Sequence, residues 1–213
     1  MGTLDGVSTI QGRLVSLRPI SREDYPVIFG WRSSIETVHM LNFTRRIASF
    51  EEFVHEFEAL LPNSMFLLAT ERANRRPIGY GVAYRINPWD RWIAVGMYVE
   101  PRYRATGHGG EAALLCVEAI FQQFPVEKIV TEVYGFASSL LQMIETMGFE
   151  ETGRLPNHYW HGDRAWDMHA MALTRERWLS ARERFSDIIA VQKQMAEIAE
   201  RPQVGTTNGS RSA

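Results

Sequence analysis

The sequence of 213 residues has almost no cysteine and no long apolar run, and each shortage excludes something. Its one cysteine, Cys116, cannot form an internal disulfide, which fits a reducing compartment. No uncharged stretch reaches the ~18 residues that a membrane-spanning helix needs. Residues 1–10 lack both the basic start and the apolar stretch of a secretion signal. We therefore expect a cytoplasmic protein that does not enter a membrane.

The chain also lacks a large charge of either sign. Its 23 basic and 25 acidic residues leave a net charge of −2. So small a charge argues against a broad electrostatic grip on nucleic acid or on an anionic membrane. The hydrophobic fraction of 45% is enough to build a core, which excludes a wholly disordered chain.

The hydrophobic pattern predicts an α+β fold with a mixed central sheet of about seven strands flanked by helices. Short links between the three strands within residues 65–99 favour antiparallel neighbours, whereas strands that follow helices can lie parallel to earlier ones. The predicted strands are residues 13–20, 65–70, 78–86, 92–99, 128–134, 149–155 and 165–173. The predicted helices are residues 21–33, 49–61, 111–124, 138–147 and an extra C-terminal one, 174–200.

The domain organisation follows from the same pattern. We expect a flexible tail over residues 1–12, one domain over 13–173 and a disordered tail over 201–213. Between them, residues 174–200 form an amphipathic helix whose apolar stripe must be buried. The stripe packs either on the parent domain or on a second copy of the chain, and we expect a homodimer.

The most informative segment is residues 99–115, VEPRYRATGHGGEAALL. A strand ends there, three glycines follow, and a helix begins. Glycines allow close approach of a ligand, and a helix N-terminus offers unpaired N–H groups to a phosphate. The segment fits neither the dinucleotide fingerprint nor the P-loop, since it does not follow the first strand and has no lysine.

The segment resembles the pyrophosphate loop of the GNAT (Gcn5-related N-acetyltransferase) superfamily, whose motif is Arg/Gln-x-x-Gly-x-Gly/Ala. Here Arg104-Ala105-Thr106-Gly107-His108-Gly109 matches it position for position. Downstream, MGFEETGRLPNHYWHGDRAWDMHAMAL is similar to the C-terminal part of the ribosomal-protein N-terminal acetyltransferase branch. The resemblance covers residues 13–173.

The resemblance implies that acetyl-CoA is the cosubstrate. Its pyrophosphate would sit on the amides of residues 105–110, and its pantetheine arm would pair with the strand before the loop. In this interpretation His108 faces solvent and Glu111 supports the helix rather than the chemistry. The implied cofactor-binding residues are Met97, Tyr98, Val99, Arg104, Ala105, Thr106, Gly107, His108, Gly109 and Gly110.

The catalytic residues are harder to assign. Many family members use a tyrosine as the general acid, but the matching position here is Ile144. Ser139 is the substitute candidate, and plain helix capping is the alternative. For the base, alignment with the family favours His158, because a neutral imidazole accepts a proton near pH 7. Glu100 is the rival, followed by Asp90 or ordered water.

The resemblance thus predicts a CoA-dependent N-acetyltransferase that acts by direct transfer. Its acceptor would be the primary amine of a small molecule (an amino sugar, an aminoglycoside or a related metabolite) or of a protein N-terminus. The alternative is a catalytically silent acyl-CoA-binding or interaction module on the same fold. We expect no metal, because no Cys or His pair completes a site around the histidines near residue 160. Cys116 should be a packing residue. Aromatic residues around the strands form either core or an acceptor groove: Tyr84, Trp89, Trp92, Tyr98, Tyr159, Trp160 and Trp166.

Overall fold

The computed structural model of the chain describes residues 9–35, 37 and 46–187. The strands are β1 (Ile10–Gln11), β2 (Val15–Pro19), β3 (Met65–Glu71), β4 (Pro77–Asn87), β5 (Trp92–Val99), β6 (Lys128–Tyr134), β7 (Glu150–His161) and β8 (Arg164–Thr174). They form one sheet in the order β1-β2-β3-β4-β5-β6-β8-β7, in which β5 and β6 are parallel and the other pairs antiparallel. The predicted α+β fold and the antiparallel run β3-β4-β5 are confirmed.

Two strands differ from their predicted extent. Ile10–Gln11 pairs with β2 although the sequence pattern places it in the N-terminal tail, so the sheet has eight strands within the described residues. β7 continues past residue 155, through Pro156, to His161. β7 is the last strand in the sheet order, and its pairing with β8 shifts between Leu155 and Tyr159. A proline is tolerated at such an edge bulge because it removes no ladder hydrogen bond.

The helices lie close to their predicted positions. They are α1 (Tyr25–Ser33), α2 (Phe50–Leu60), α3 (His108–Gln123), α4 (Ser138–Thr146) and α5 (Arg175–Ala181). Ser49 caps α2, since its hydroxyl accepts from the Glu52 amide and the Glu52 carboxylate accepts from the Ser49 amide. Among the described residues, none of the helices has the length and apolar character of a membrane span.

The sheet separates two hydrophobic cores. The core on the α3 face includes side chains from α3, α4 and α5 together with Ile93, Ile129 and Val133 of the strands. The core on the α1 face includes Tyr98. Because side chains alternate along a strand, neighbouring residues of β5 and β6 belong to opposite faces. The α1-face core consists of Tyr25, Ile28, Trp31, Phe53, Phe57, Phe66, Leu68, Tyr80 and Tyr98.

The C-terminal helix packs on its own domain through a buried carboxylate in α3. Trp178 of α5 is 1% exposed, and its indole donates to Glu118 at 2.7 Å. Arg182 also reaches Glu118, at 3.1 Å. The Arg175 guanidinium donates to carbonyls at the end of α3 and just beyond it: Phe121, Phe124 and Val126. Residues 188–200 of the predicted helix lie outside the described residues, and the homodimer stays a prediction.

Candidate functional site

The central sheet opens between β5 and β6, its parallel pair of neighbouring strands. β5 pairs with β6 only over Trp92–Ala94 and Lys128–Val130. In the described part of the chain, residues 95–99 pair only with β4, and residues 131–134 only with β8. We call the opening between these two stretches the sheet gap. It leaves one edge of β5 available for an extended ligand in the middle of the sheet.

The backbone of β5 points donors into the sheet gap. The Glu100 amide donates to the Ile78 carbonyl of β4 at 2.8 Å. Residues alternate between facing the partner strand and facing away in an antiparallel pair, so Tyr98 also faces β4. The amides of Met97 and Val99 therefore face the sheet gap. The predicted cofactor strand has the backbone geometry that pairing with an extended amide chain requires.

The glycine-rich loop connects the end of β5 to the start of α3. Gly107 has φ +86° and is the N-cap, with no side chain capping the helix. This left-handed backbone starts α3 at His108, three residues earlier than predicted. The first N–H groups of a helix have no intrahelical partner, and the helix dipole makes this end positive. A β-carbon on Gly109 would lie 3.6 Å from Val99, so the helix start sits directly against β5.

Two arginines flank this helix start. Arg104 is exposed, and its Nε donates to the Val99 carbonyl at 2.9 Å. Arg102 pairs with Glu100. A cavity of about 510 Å³ opens beside the same first turn. It is lined by Arg13, Leu14, Gly107, Gly110, Glu111, Leu114, Met143, Thr146, Met147 and Phe185.

The prediction that His108 faces solvent is wrong. Its side chain is 15% exposed and lies 3.8 Å from the Glu71 carboxylate. Its Nδ1 is 2.7 Å from the Thr106 hydroxyl, and its ring packs edge-on against Tyr103. The histidine side chain therefore links the glycine-rich loop to β3. Its backbone amide still lies at the start of α3.

Glu111 makes contacts of the kind that its predicted structural role requires. Its carboxylate is buried and accepts from the Leu14 amide at 2.7 Å and from the Val15 amide at 3.0 Å. Gly12 leaves room for it, because a β-carbon there would lie 2.2 Å from the Glu111 oxygen. The first turn of α3 is thus fixed to the start of β2.

Glu100 sits where β5 ends, at the mouth of the sheet gap. The Trp31 indole of α1 donates to one of its oxygens at 3.0 Å, and Arg102 Nε donates to the other at 2.6 Å. Its side chain is mostly buried. Trp31 in turn packs on Tyr98 with ring centroids 5.4 Å apart. These contacts hold the carboxylate beside the backbone that the family resemblance assigns to the cosubstrate.

The other two catalytic candidates lie at different places. His158 is exposed on β7, three strands along the sheet order from β5. At about 4.8 Å per strand the backbones of β5 and β7 are at least about 14 Å apart. Ser139 is exposed in the first turn of α4, whose N-cap is Ala137 without a side-chain hydrogen bond. The structure thus brings Glu100, but not His158, next to the predicted cofactor strand.

Two residues behave as packing. Ile144, at the position of the family's tyrosine, is buried in the α3-face core. Cys116 is buried, and burial raises the pKa of its thiol to about 12. Its sulfur would meet a β-carbon on Gly81 at 2.9 Å, so it fills space against β4. The predicted packing role of Cys116 is confirmed.

Ring side chains gather beyond the end of β6. Tyr134 stacks on Tyr159 of β7 with centroids 4.1 Å apart. Phe136 lies 4.9 Å from His161 and 5.9 Å from Trp166. We call these five residues the aromatic cluster. Tyr134 and Phe136 were not predicted from the sequence, although the ring-rich YGF at residues 134–136 was an available signal.

The histidines do not gather into a metal site in the described part of the chain. Within residues 9–35, 37 and 46–187, no group of three or more His, Cys, Asp or Glu side chains is placed to hold a metal ion. His169 contacts the Glu151 carboxylate at 2.7 Å. Hydrogen bonds from Arg154 and then His169 lower the pKa of Glu151 to about 2.

Comparison with known proteins gives a family match and a set of similar folds. The family model "Acetyltransferase (GNAT) domain" matches residues 14–150. The solved spermidine N-acetyltransferase of Vibrio cholerae, in complex with CoA and spermine, is similar with a TM-score of 0.70 at 18% identity, over 78% of this chain and 98% of that one. A GNAT-family acetyltransferase of Bacillus anthracis is similar with a TM-score of 0.64 at 15% identity, over 79% of this chain and 99% of that one. No curated protein matches the sequence. At these identities the structural likeness establishes the fold.

Proposed function

Because the chain belongs to the GNAT acetyltransferase family, we propose that it transfers an acetyl group from acetyl-CoA directly to the primary amine of a small molecule or of a protein N-terminus. One observation carries the proposal. The open edge of β5 leads through a glycine-rich loop to the uncapped start of α3. An extended thioester arm and an anionic pyrophosphate need these two sites side by side.

The cosubstrate fits these residues chemically. We assign the pyrophosphate to the amides of residues 105–110, with Arg104 beside them. The pantetheine arm pairs with Met97 and Val99, whose amides face the sheet gap. Gly109 has no side chain to block the approach, and the cavity beside Gly107 and Gly110 offers room for the adenosine end. A GNAT relative of this fold was solved with CoA, which agrees with the assignment.

The reaction needs three protein functions. The amine nitrogen attacks the thioester carbonyl carbon, and the C–S bond breaks. The acetyl group is thereby transferred from sulfur to nitrogen. An amide of β5 stabilises the developing oxyanion. The ammonium form of the acceptor must lose a proton before its nitrogen can attack, and the departing thiolate needs a hydrogen-bond donor or proton.

Glu100 is our candidate for the proton acceptor, directly or through one water. It lies next to Val99 and is held by Trp31 and Arg102. His158 remains the rival, and it requires an acceptor molecule that bridges the distance of at least about 14 Å between β5 and β7. Ser139 is the candidate donor to the thiolate, because its exposed hydroxyl lies at the start of α4.

Acetyl-CoA binding tests the assignment of the loop. At 100 times its Kd a ligand stabilises a fold by about 2.7 kcal/mol, which raises the Tm of a domain of this size by roughly 5–10 °C. Gly109→Glu places bulk and negative charge at the helix start and should abolish this shift. Gly30→Glu is the matched control, because a β-carbon at that exposed helical glycine meets no atom within 4 Å. An undiminished shift in Gly109→Glu would contradict the assignment.

A catalytically silent acyl-CoA-binding module is the second candidate. The buried Ile144 in place of the family's tyrosine favours it. The two candidates differ in turnover, because only an enzyme releases free CoA thiol when an amine is added. Thiol release above the no-amine rate with any member of a panel of primary amines would exclude the silent module.

A further inference from the structure

The aromatic cluster borders the sheet gap on the α1 face of the sheet. Val133 of β6 belongs to the α3-face core, so its neighbour Tyr134 points to the other face. Tyr98 of β5 belongs to the core on that same other face. Extension of the parallel register, in which Trp92 pairs with Lys128, puts Tyr134 level with Tyr98 across the sheet gap. The rings therefore face the position where the proposed function places the thioester.

The rings of the cluster are at least partly exposed to solvent. Tyr134, Phe136, Tyr159 and Trp166 are each half-buried, and His161 is exposed. A sheet core would cover such side chains fully, as it does Tyr98 and Tyr80 on the other side of the sheet gap. The rings of Tyr134, Phe136 and Tyr159 stack on or tilt against one another with centroids 4.1–5.8 Å apart, and their partly exposed surfaces offer apolar and aromatic contact to another ring.

The charges beside the aromatic cluster do not favour a polycation. Glu132 lies 3.9 Å from Arg85, and Glu100 is paired with Arg102. The Arg164 guanidinium sits 3.5 Å above the Trp166 ring, at the outer end of the cluster. Both glutamates are thus already paired with arginines, and a second ammonium group at the outer end of the cluster would meet the Arg164 guanidinium, which does not repel a neutral ring.

We propose, on the premise of the acetyltransferase function above, that the acceptor is a monoamine carried on an aromatic ring. The ring rests against Tyr134, Phe136 and Tyr159, and the amine reaches across the sheet gap towards Glu100. Such an acceptor differs in class from spermine, the polyamine in the complex of the similar Vibrio cholerae enzyme.

A matched set of amines tests the inference with the full chain at saturating acetyl-CoA. The set is 2-phenylethylamine, butylamine and spermidine, and the readout is kcat/KM from thiol release. We expect 2-phenylethylamine to exceed both other amines by about tenfold or more, a factor in line with the worth of one aromatic pair plus ring burial. Equal values, or a preference for spermidine, overturn the inference while leaving the acetyltransferase function intact.

Variants locate the preference. Tyr159→Leu should lower kcat/KM for 2-phenylethylamine about tenfold and change that for butylamine less than twofold. Trp160→Leu is the control, because Trp160 is the next residue of β7, points to the opposite face and is 63% exposed. Phe136→Leu serves if Tyr159→Leu fails to fold, which loss of the acetyl-CoA thermal shift would reveal. Equal effects of the variants and the control overturn the inference. If no amine releases thiol, the proposed function fails and this inference fails with it.

Discussion

Removal of the Glu111 carboxylate should release the first turn of α3 from β2. In Glu111→Ala the amides of Leu14 and Val15 both lose a charged acceptor. A hydrogen bond to a charged group contributes about 1.5–3 kcal/mol, so the loss of two costs about 3–6 kcal/mol in the free energy of unfolding. The better helix propensity of alanine offsets a few tenths of this.

A melting experiment measures this cost. For a domain of this size each kcal/mol shifts the Tm by about 2–4 °C, so Glu111→Ala should melt roughly 6–24 °C below wild type. Glu111→Gln keeps a neutral acceptor and should lose about half as much. Glu145→Ala is the control, because Glu145 is an exposed glutamate within α4 and its loss should cost under about 0.5 kcal/mol.

Two results would refute this reasoning. If Glu111→Ala and Glu145→Ala melt together, the carboxylate does not tie α3 to β2. If Glu111→Gln melts near wild type but loses turnover while retaining acetyl-CoA binding, Glu111 takes part in the chemistry instead of the framework. We expect Glu111→Gln to keep both the acetyl-CoA thermal shift and most of its turnover.

The remaining predictions concern the proton, the C-terminal helix and acid stability. Glu100→Gln should lower kcat/KM about 10²–10⁴-fold near pH 7 and recover at high pH, whereas His158→Asn should stay within about threefold of wild type; the reverse result would move the base to His158. Trp178→Phe deprives the buried Glu118 of a donor and should cost about 1.5–3 kcal/mol in urea unfolding, and no change would show that this contact is dispensable. Burial raises the pKa of Asp24, but hydrogen bonds from Arg18 and Ser21 outweigh it and hold that pKa below its usual value. The ionised Asp24 therefore stabilises the fold above about pH 4, and this stabilisation is lost as the pH falls. The difference in free energy of unfolding between wild type and Asp24→Asn should shrink at low pH. Parallel curves of stability against pH for the two proteins would contradict this role of Asp24.

Local features of this fold could be predicted from the sequence. The β3-β4-β5 run follows from links too short for a crossover, and a helix was expected after the glycines, although α3 starts three residues earlier than predicted. Both depend on residues near each other in the chain. The loop match to the GNAT motif had the same local basis, and the family model confirms the family.

Long-range contacts could not be predicted. The His108 side chain turns inward towards Glu71, which is 37 residues away in sequence but 3.8 Å away in space. No local sequence pattern predicts that contact. The separation of His158 from β5 depends on the order β5-β6-β8-β7, which places the last strand in the chain between the two before it. Periodicity reveals strands but not their order, so motif alignment alone could not weigh His158 against Glu100.

The contacts of Arg175 and Trp178 with α3 bear on how the chain folds during synthesis. The carbonyls of Phe121, Phe124 and Val126 must be hydrated until Arg175 has been made, and Glu118 lacks the Trp178 indole for as long. The family match ends at residue 150, before either residue. A nascent chain of that length also leaves one edge of β6 unpaired, because β8 has not yet been made. The helix whose first turn we assign to the cosubstrate is thus completed only by residues made some fifty positions later, so cofactor binding should appear late in synthesis, together with the final fold.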